Sequence, residues 1–159
     1  MKINVEINSL AKVAADNKLI KKAAMEVAAG EMQNASEPGE VEVSIALVSP
    51  AKIRAINKKY RQKDQVTDVL SFAEGDVEND GIKHPRLLGE LVICPKQVKD
   101  DAKEAKVSFK YELAWVTVHG ILHLLGYDHE TGENDAKTMK QKEQFCLSKL
   151  KFKSVKRKA

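Results

Sequence analysis

Apolar and polar positions alternate over residues 2–8, putting Ile3, Val5 and Ile7 on one side of an expected strand. The pattern changes over 12–34, where Leu19, Ile20, Ala23, Ala24, Val27 and Ala28 recur at helical spacing, with Asp16 as a cap for the main part of that helix. Ser36-Glu37-Pro38-Gly39 reads as a turn. Strict alternation returns at 41–49, with Val41, Val43, Ile45 and Leu47 facing one way. Ser49-Pro50 then predicts a helix start, and the helix runs to about Tyr60.

A charged connection over 61–67 leads to a short strand at 69–72. A polar loop over 74–86 follows, and then a strand over 87–94 that Pro95 ends, so these two strands predict a hairpin. A charged helix is expected over 96–106. The most apolar helix of the chain is expected over 108–125; it is apolar nearly all round and therefore buried, with Gly126 as its terminator. A last helix over 133–150 offers Met139, Phe145, Cys146 and Leu150 as contacts. This order predicts an α+β domain over 1–150, in which a mixed sheet of about four strands packs with about five helices. Residues 151–159 are left as a tail.

Composition narrows the function classes. The chain has 159 residues, enough for one core without disulfide or metal support. No apolar run reaches the roughly 20 residues of a membrane span, and the alternating first residues are unlike a secretory signal. Cys94 and Cys146 stand far apart and read as buried thiols of a cytoplasmic protein. The net charge of +4 comes entirely from the C-terminus. Lys149, Lys151, Lys153, Lys156, Arg157 and Lys158 leave 21 basic against 23 acidic residues elsewhere. Such a tail either attracts an anionic polymer or simply stays solvated.

The chemistry concentrates in His119-Gly120-Ile121-Leu122-His123-Leu124-Leu125-Gly126-Tyr127-Asp128-His129. Histidines four apart share a helix face. If Gly126 ends the helix in a left-handed turn, the chain doubles back and brings His129 to the same point. Three imidazoles that leave a position open match a catalytic zinc site, one ion per chain. Three of the four histidines fall within these eleven residues, which argues against isolated core histidines. Asp128 reads as a turn residue, a further ligand or an acceptor behind a ligand. Trp115 and Phe109 are expected in the core, and His84 in the exposed loop. The spacing also matches the HExxHxxGxxH of metzincin proteases, but Gly120 replaces their general-base glutamate, which disfavours peptide hydrolysis.

Upstream, Lys58, Lys59, Arg61 and Lys63 crowd a helix end, and Arg61 is suited to bidentate phosphate binding. No interleaved aromatic and basic pattern marks a stacking platform for bases. With NKKYRQKDQVTDVLSF, LLGELVICP and HGILHLLGYDH in this order, the chain resembles the YbeY family of bacterial endoribonucleases and ribosomal-RNA maturation factors.

The resemblance implies a mixed sheet with helices around a cleft. It implies a metal, zinc, on His119, His123 and His129, and a catalytic role for Arg61 and His119, with Arg61, Lys59 and Lys63 facing RNA. It also implies action on single-stranded RNA in rRNA maturation and ribosome quality control, with the small ribosomal subunit and its assembly factors as partners. One departure is Val66, where the family usually has proline; valine is expected to loosen the turn that places Arg61. A different class remains open: a ribosome-assembly binding protein whose metal is structural and which turns nothing over.

Overall fold

The computed structural model describes residues 2–32, 40–73 and 86–153. The expected turn at 36–39, most of the 74–86 loop with His84, and residues 154–159 of the basic tail lie outside these residues. The elements run β1 (Lys2–Ser9), α1 (Asn17–Met32), β2 (Glu40–Leu47), α2 (Pro50–Arg61), β3 (Val69–Ala73), β4 (Arg86–Ile93), α3 (Pro95–Ala105), α4 (Phe109–Leu124) and α5 (Glu133–Lys149). The α+β expectation holds, with four strands and five helices among the described residues.

Two helix starts show how the sequence sets boundaries. The backbone N–H of Leu19 donates to Asp16 Oδ1 at 3.1 Å, so Asp16 caps α1. Residues 12–16, expected within this helix, therefore lie outside it. At α2, Ser49 Oγ accepts from Lys52 N at 3.2 Å and Pro50 follows at the first helical position, as read.

The sheet has the order β1-β2-β4-β3. β1, β2 and β4 run parallel, and β3 pairs antiparallel with β4, from Val69 opposite Ile93 to Ala73 opposite Gly89, which is the expected hairpin pairing. Alternation along the strands sorts the side chains into two clusters. Val41, Val43, Ile45, Leu47, Leu91 and Ile93 join Ile20, Ala23, Ala24 and Val27 of α1 and the apolar residues of α4 in the main core. Ala46, Leu70, Phe72 and Val92 turn to the other face and pack with Ile53 and Ile56 of α2.

Helix α4 carries the histidine motif through the main core, packed on α1, α3, α5 and the sheet. Gly120 lets it approach β4 closely: a Cβ there would meet Leu91 Cδ2 at 2.8 Å. The position of the metzincin glutamate is thus filled by the core rather than open to a side chain. In α5, Met139, Cys146 and Leu150 are buried as expected, but Phe145 is 61% exposed. The helix instead turns the stripe Met139, Glu143, Cys146, Leu147 and Leu150 inward. Both cysteines are buried free thiols, and burial pushes Cys146 up to about 11 and raises Cys94, so neither is a ready thiolate.

Candidate metal centre and its cleft

His119 and His123 lie one turn apart on α4, with their Nε2 atoms 3.1 Å from each other. Helix α4 then ends in a Schellman arrangement. Gly126 takes φ 99°, its N–H donates to His123 O at 3.0 Å, and Tyr127 N–H donates to Leu122 O at 3.1 Å. The chain doubles back as expected, and the His129 ring comes to 5.3 Å, centroid to centroid, from both other rings. One nitrogen from each of the three imidazoles can be chosen so that all lie within 4.8 Å of one another. Asp128 takes the turn role: its Oδ1 accepts from Glu130 N at 2.8 Å.

The donor set fits a transition metal. Three imidazole nitrogens converge from one helix turn and the bend after it, and they are borderline donors suited to zinc and its neighbours. Burial, followed by the adjoining His119 and His129, pushes His123 below its ordinary value. The ring is thereby held neutral, the form that ligates.

Two features behind the histidines were not legible in the sequence. Glu143 of α5 is buried, and its Oε1 lies 2.7 Å from His119 Nδ1 while Oε2 accepts from Trp115 Nε1 at 3.0 Å. A carboxylate accepts, so the proton sits on Nδ1 and the Nε2 lone pair faces His123. Trp115, expected in the core, is half-buried; it lines the cleft and stacks on His119 at 4.8 Å and 24°. Phe109 is also only partly buried, against the main core. The signal that could have found Glu143 is an acid at helical spacing on the Met139–Cys146–Leu150 stripe.

The second feature ties the His129 bend to distant elements. Tyr127 Oη donates to Glu31 Oε2 of α1 at 2.5 Å, and Lys142 Nζ of α5 donates to Glu31 Oε1 at 2.7 Å. Lys142 also lies over the Tyr127 ring at 5.0 Å. Burial opposes ionisation of Glu31, but the hydrogen bonds from Lys142 and Tyr127 outweigh it and hold the carboxyl below its ordinary value.

The histidines open into a cleft of about 670 Å³ that is also lined by the end of α2, the 62–68 connection and β3. Arg61 and Lys63 line it, together with Asn57, Thr67, Asp68 and Ser71. Arg61 Nη2 donates to Ser71 O at 2.7 Å, and its guanidinium carbon lies 5.0 Å from the Phe72 ring centroid. Lys59 is not among the lining residues; it is exposed, with Nζ 5.1 Å from the Tyr60 ring centroid. The 62–68 connection is fixed without the proline. Buried Asn57 donates through Nδ2 to Gln65 O at 3.0 Å, Gln62 closes α2 in the left-handed region at φ 57°, and Val66 packs on the α2 cluster.

Comparison with known proteins agrees with this architecture. The family model described as endoribonuclease YbeY matches residues 4–151. Endoribonuclease YbeY of Bacillus mycoides is 47% identical over 122 residues, covering 72% of this chain and 76% of its own. Endoribonuclease YbeY of Syntrophotalea carbinolica is 40% identical over 128 residues, covering 80% and 85%. The solution structure of TM1509 from Thermotoga maritima superposes with a TM-score of 0.58 at 28% identity, over 94% of this chain and 91% of that one.

Proposed function

The chain belongs to the YbeY endoribonuclease family, and from that premise we propose that it is a metal-dependent nuclease cutting single-stranded RNA during rRNA maturation and ribosome quality control. The observation that carries the reading is the convergence of His119, His123 and His129 in a cleft that Arg61 also lines. In this reading the three histidines hold one zinc ion. Its RNA partner is ribosomal, met in the cytoplasm with the small subunit and its assembly factors. No described helix is long and apolar enough to cross a membrane.

When bound, the metal supplies Lewis acidity and a water acidified towards a pKa of about 7. The chain's own residues do the rest. Glu143 keeps the His119 proton on Nδ1 and the ring turned to the cleft. Arg61 spends one N–H on Ser71 O, and its remaining donors suit the phosphoryl oxygens, where negative charge grows in the transition state. Lys63, which lines the same cleft, adds charge that draws the RNA backbone. Lys59 contributes from the helix face outside the cleft.

Metal analysis of the purified protein, with RNA-cleavage assays on it and on His119→Ala, tests the reading. Stoichiometric metal and cleavage are expected for the parent, and loss of both for the variant. Chelation should abolish cleavage and leave unfolding cooperative, because the apolar core is built without the histidines. Loss of cooperativity on chelation would instead favour a structural metal in a binding protein.

A further inference from the structure

The structure joins two aromatic side chains that stand twelve positions apart in the sequence. Tyr60, at the end of α2, is 54% exposed, one of the few large apolar side chains so open among the described residues. Its ring meets that of Phe72 on β3 edge to face, with centroids 5.5 Å apart and planes at 68°. Phe72 is half-buried in the α2 cluster and so is a fixed floor. Arg61 links this pair to the cleft: its guanidinium lies over Phe72 and also lines the cleft with the histidines.

The charge around the pair selects the occupant. Of the two acids of this segment, Asp64 is already engaged by Arg54 Nε at 2.8 Å and Lys58 Nζ at 4.0 Å, and Asp68, which lines the cleft, accepts from Val69 N at 2.7 Å. Lys59, Arg61 and Lys63 have no ion-pair partner among the described residues. An exposed aromatic on a rigid neighbour, set among cations without an ion pair among the described residues and beside an arginine suited to phosphate, suits a polyanion that carries flat apolar groups. An acidic peptide would match the cations but would have no use for the ring.

We propose that Tyr60, backed by Phe72, is a stacking platform for a nucleobase flanking the linkage held in the cleft. The proposal rests on the nuclease reading and adds the means of choosing single strands. A base in a duplex already stacks on its neighbours and cannot reach the ring, whereas a splayed base can. Tyrosine loses little conformational freedom on engagement, since only two side-chain torsions are fixed. Tyr60 stands between Lys59 and Arg61 in the sequence, but its pairing with Phe72 exists only once β3 lies beside the end of α2.

The test compares binding of two end-labelled strands by fluorescence anisotropy: a short oligoadenylate, and the same backbone with abasic residues, each checked for integrity on a gel. Tyr60→Ala should weaken binding of oligoadenylate roughly five- to a hundredfold, leave the abasic strand nearly unaffected, and raise KM for RNA cleavage more than it lowers kcat. Tyr60→Phe should bind like the parent. Tyr60→Leu keeps apolar contact with Phe72 but has no π face, so it should lose oligoadenylate as Tyr60→Ala does, even if alanine disturbs folding. Equal binding of oligoadenylate by parent, Tyr60→Ala and Tyr60→Leu would overturn the proposal, as would an equal loss for both strands. A parent that binds oligoadenylate through Tyr60 yet cuts no RNA would remove the nuclease reading and keep the platform.

Discussion

His119 Nδ1 and Glu143 Oε1 stand 2.7 Å apart, joining the first histidine of the motif to a helix that begins after the motif has ended. The same carboxylate accepts from Trp115, so one buried acid sets both the proton and the tilt of the His119 ring.

Glu143→Ala should therefore lower metal affinity about 10- to 100-fold, the usual cost of losing a group that orients a ligand. It also leaves the Trp115 N–H and the His119 N–H without their acceptor, at a cost of about 1–3 kcal/mol in stability. Titration against a chromophoric chelator measures the first effect and urea unfolding the second. Wild-type metal affinity in a folded Glu143→Ala protein would show that the ring is held by α4 alone.

Arg61→Ala should reduce the rate of RNA cleavage by about 100- to 1,000-fold while metal content stays unchanged, because the guanidinium bonds to Ser71 O and is not among the three converging ligands. Its side chain is exposed and its bond to Ser71 O lies at the surface, so stability should move by no more than about 0.5 kcal/mol. Arg61→Lys keeps the charge but loses the planar fork, and should recover only part of the rate. Single-turnover cleavage with each variant decides this; a wild-type rate in Arg61→Ala would remove Arg61 from the chemistry.

The residues that were legible in the sequence share a property. His119, His123, Gly126 and His129 are related by local geometry, a helix turn and a left-handed bend, so spacing alone predicts their meeting. The strands were legible for the same reason, since alternation states which side chains share a face. Glu143 pairs with His119 across 24 positions, Glu31 with Tyr127 across 96 and Lys142 with Glu31 across 111, and no local periodicity encodes such pairings. Phe145 is hydrophobic but stands off the inward phase of α5, so it stays exposed. Glu143 occupies the inward phase of α5, and its charge is tolerated there because Trp115 and His119 pair with it.

The Glu31, Tyr127 and Lys142 cluster gives a pH dependence with a definite sign. The Glu31 carboxyl is held below its reference value of 4.5, so its contribution is full above that pH and is lost as pH falls through the lower native value. Hydrogen bonding to Glu31 raises Lys142 above 10.5, so that part is full below 10.5 and is lost as pH rises through the native value. Tyr127→Phe removes one of the hydrogen bonds that hold Glu31 down. Its destabilisation relative to the parent should be greatest between about pH 5 and 9 and shrink below pH 4. Urea midpoints of the chelated proteins across that range check this, and a constant difference down to pH 3 would contradict it.

Two glycines should respond differently to the same change. At Gly89, where φ is 152°, an added Cβ would stand 2.5 Å from Phe72 O and 2.7 Å from Leu124 Cδ2. Backbone strain and overpacking then act together in the β3–β4 pairing, and Gly89→Ala should lose about 2–4 kcal/mol of global stability. At Gly126, where φ is 99°, an added Cβ meets nothing within 4 Å, so the cost is conformational only, about 1–2 kcal/mol. That cost falls on the bend carrying His129, and the bend can relieve it by moving away from His119 and His123. Gly126→Ala should accordingly lose metal affinity tenfold or more, about 1.4 kcal/mol, while its unfolding midpoint without metal shifts little. Calorimetry of metal-free protein and metal titration, run on both variants, separate the two outcomes. An unchanged metal affinity in Gly126→Ala would mean that His129 is set by Tyr127 and Glu31 and not by the left-handed turn.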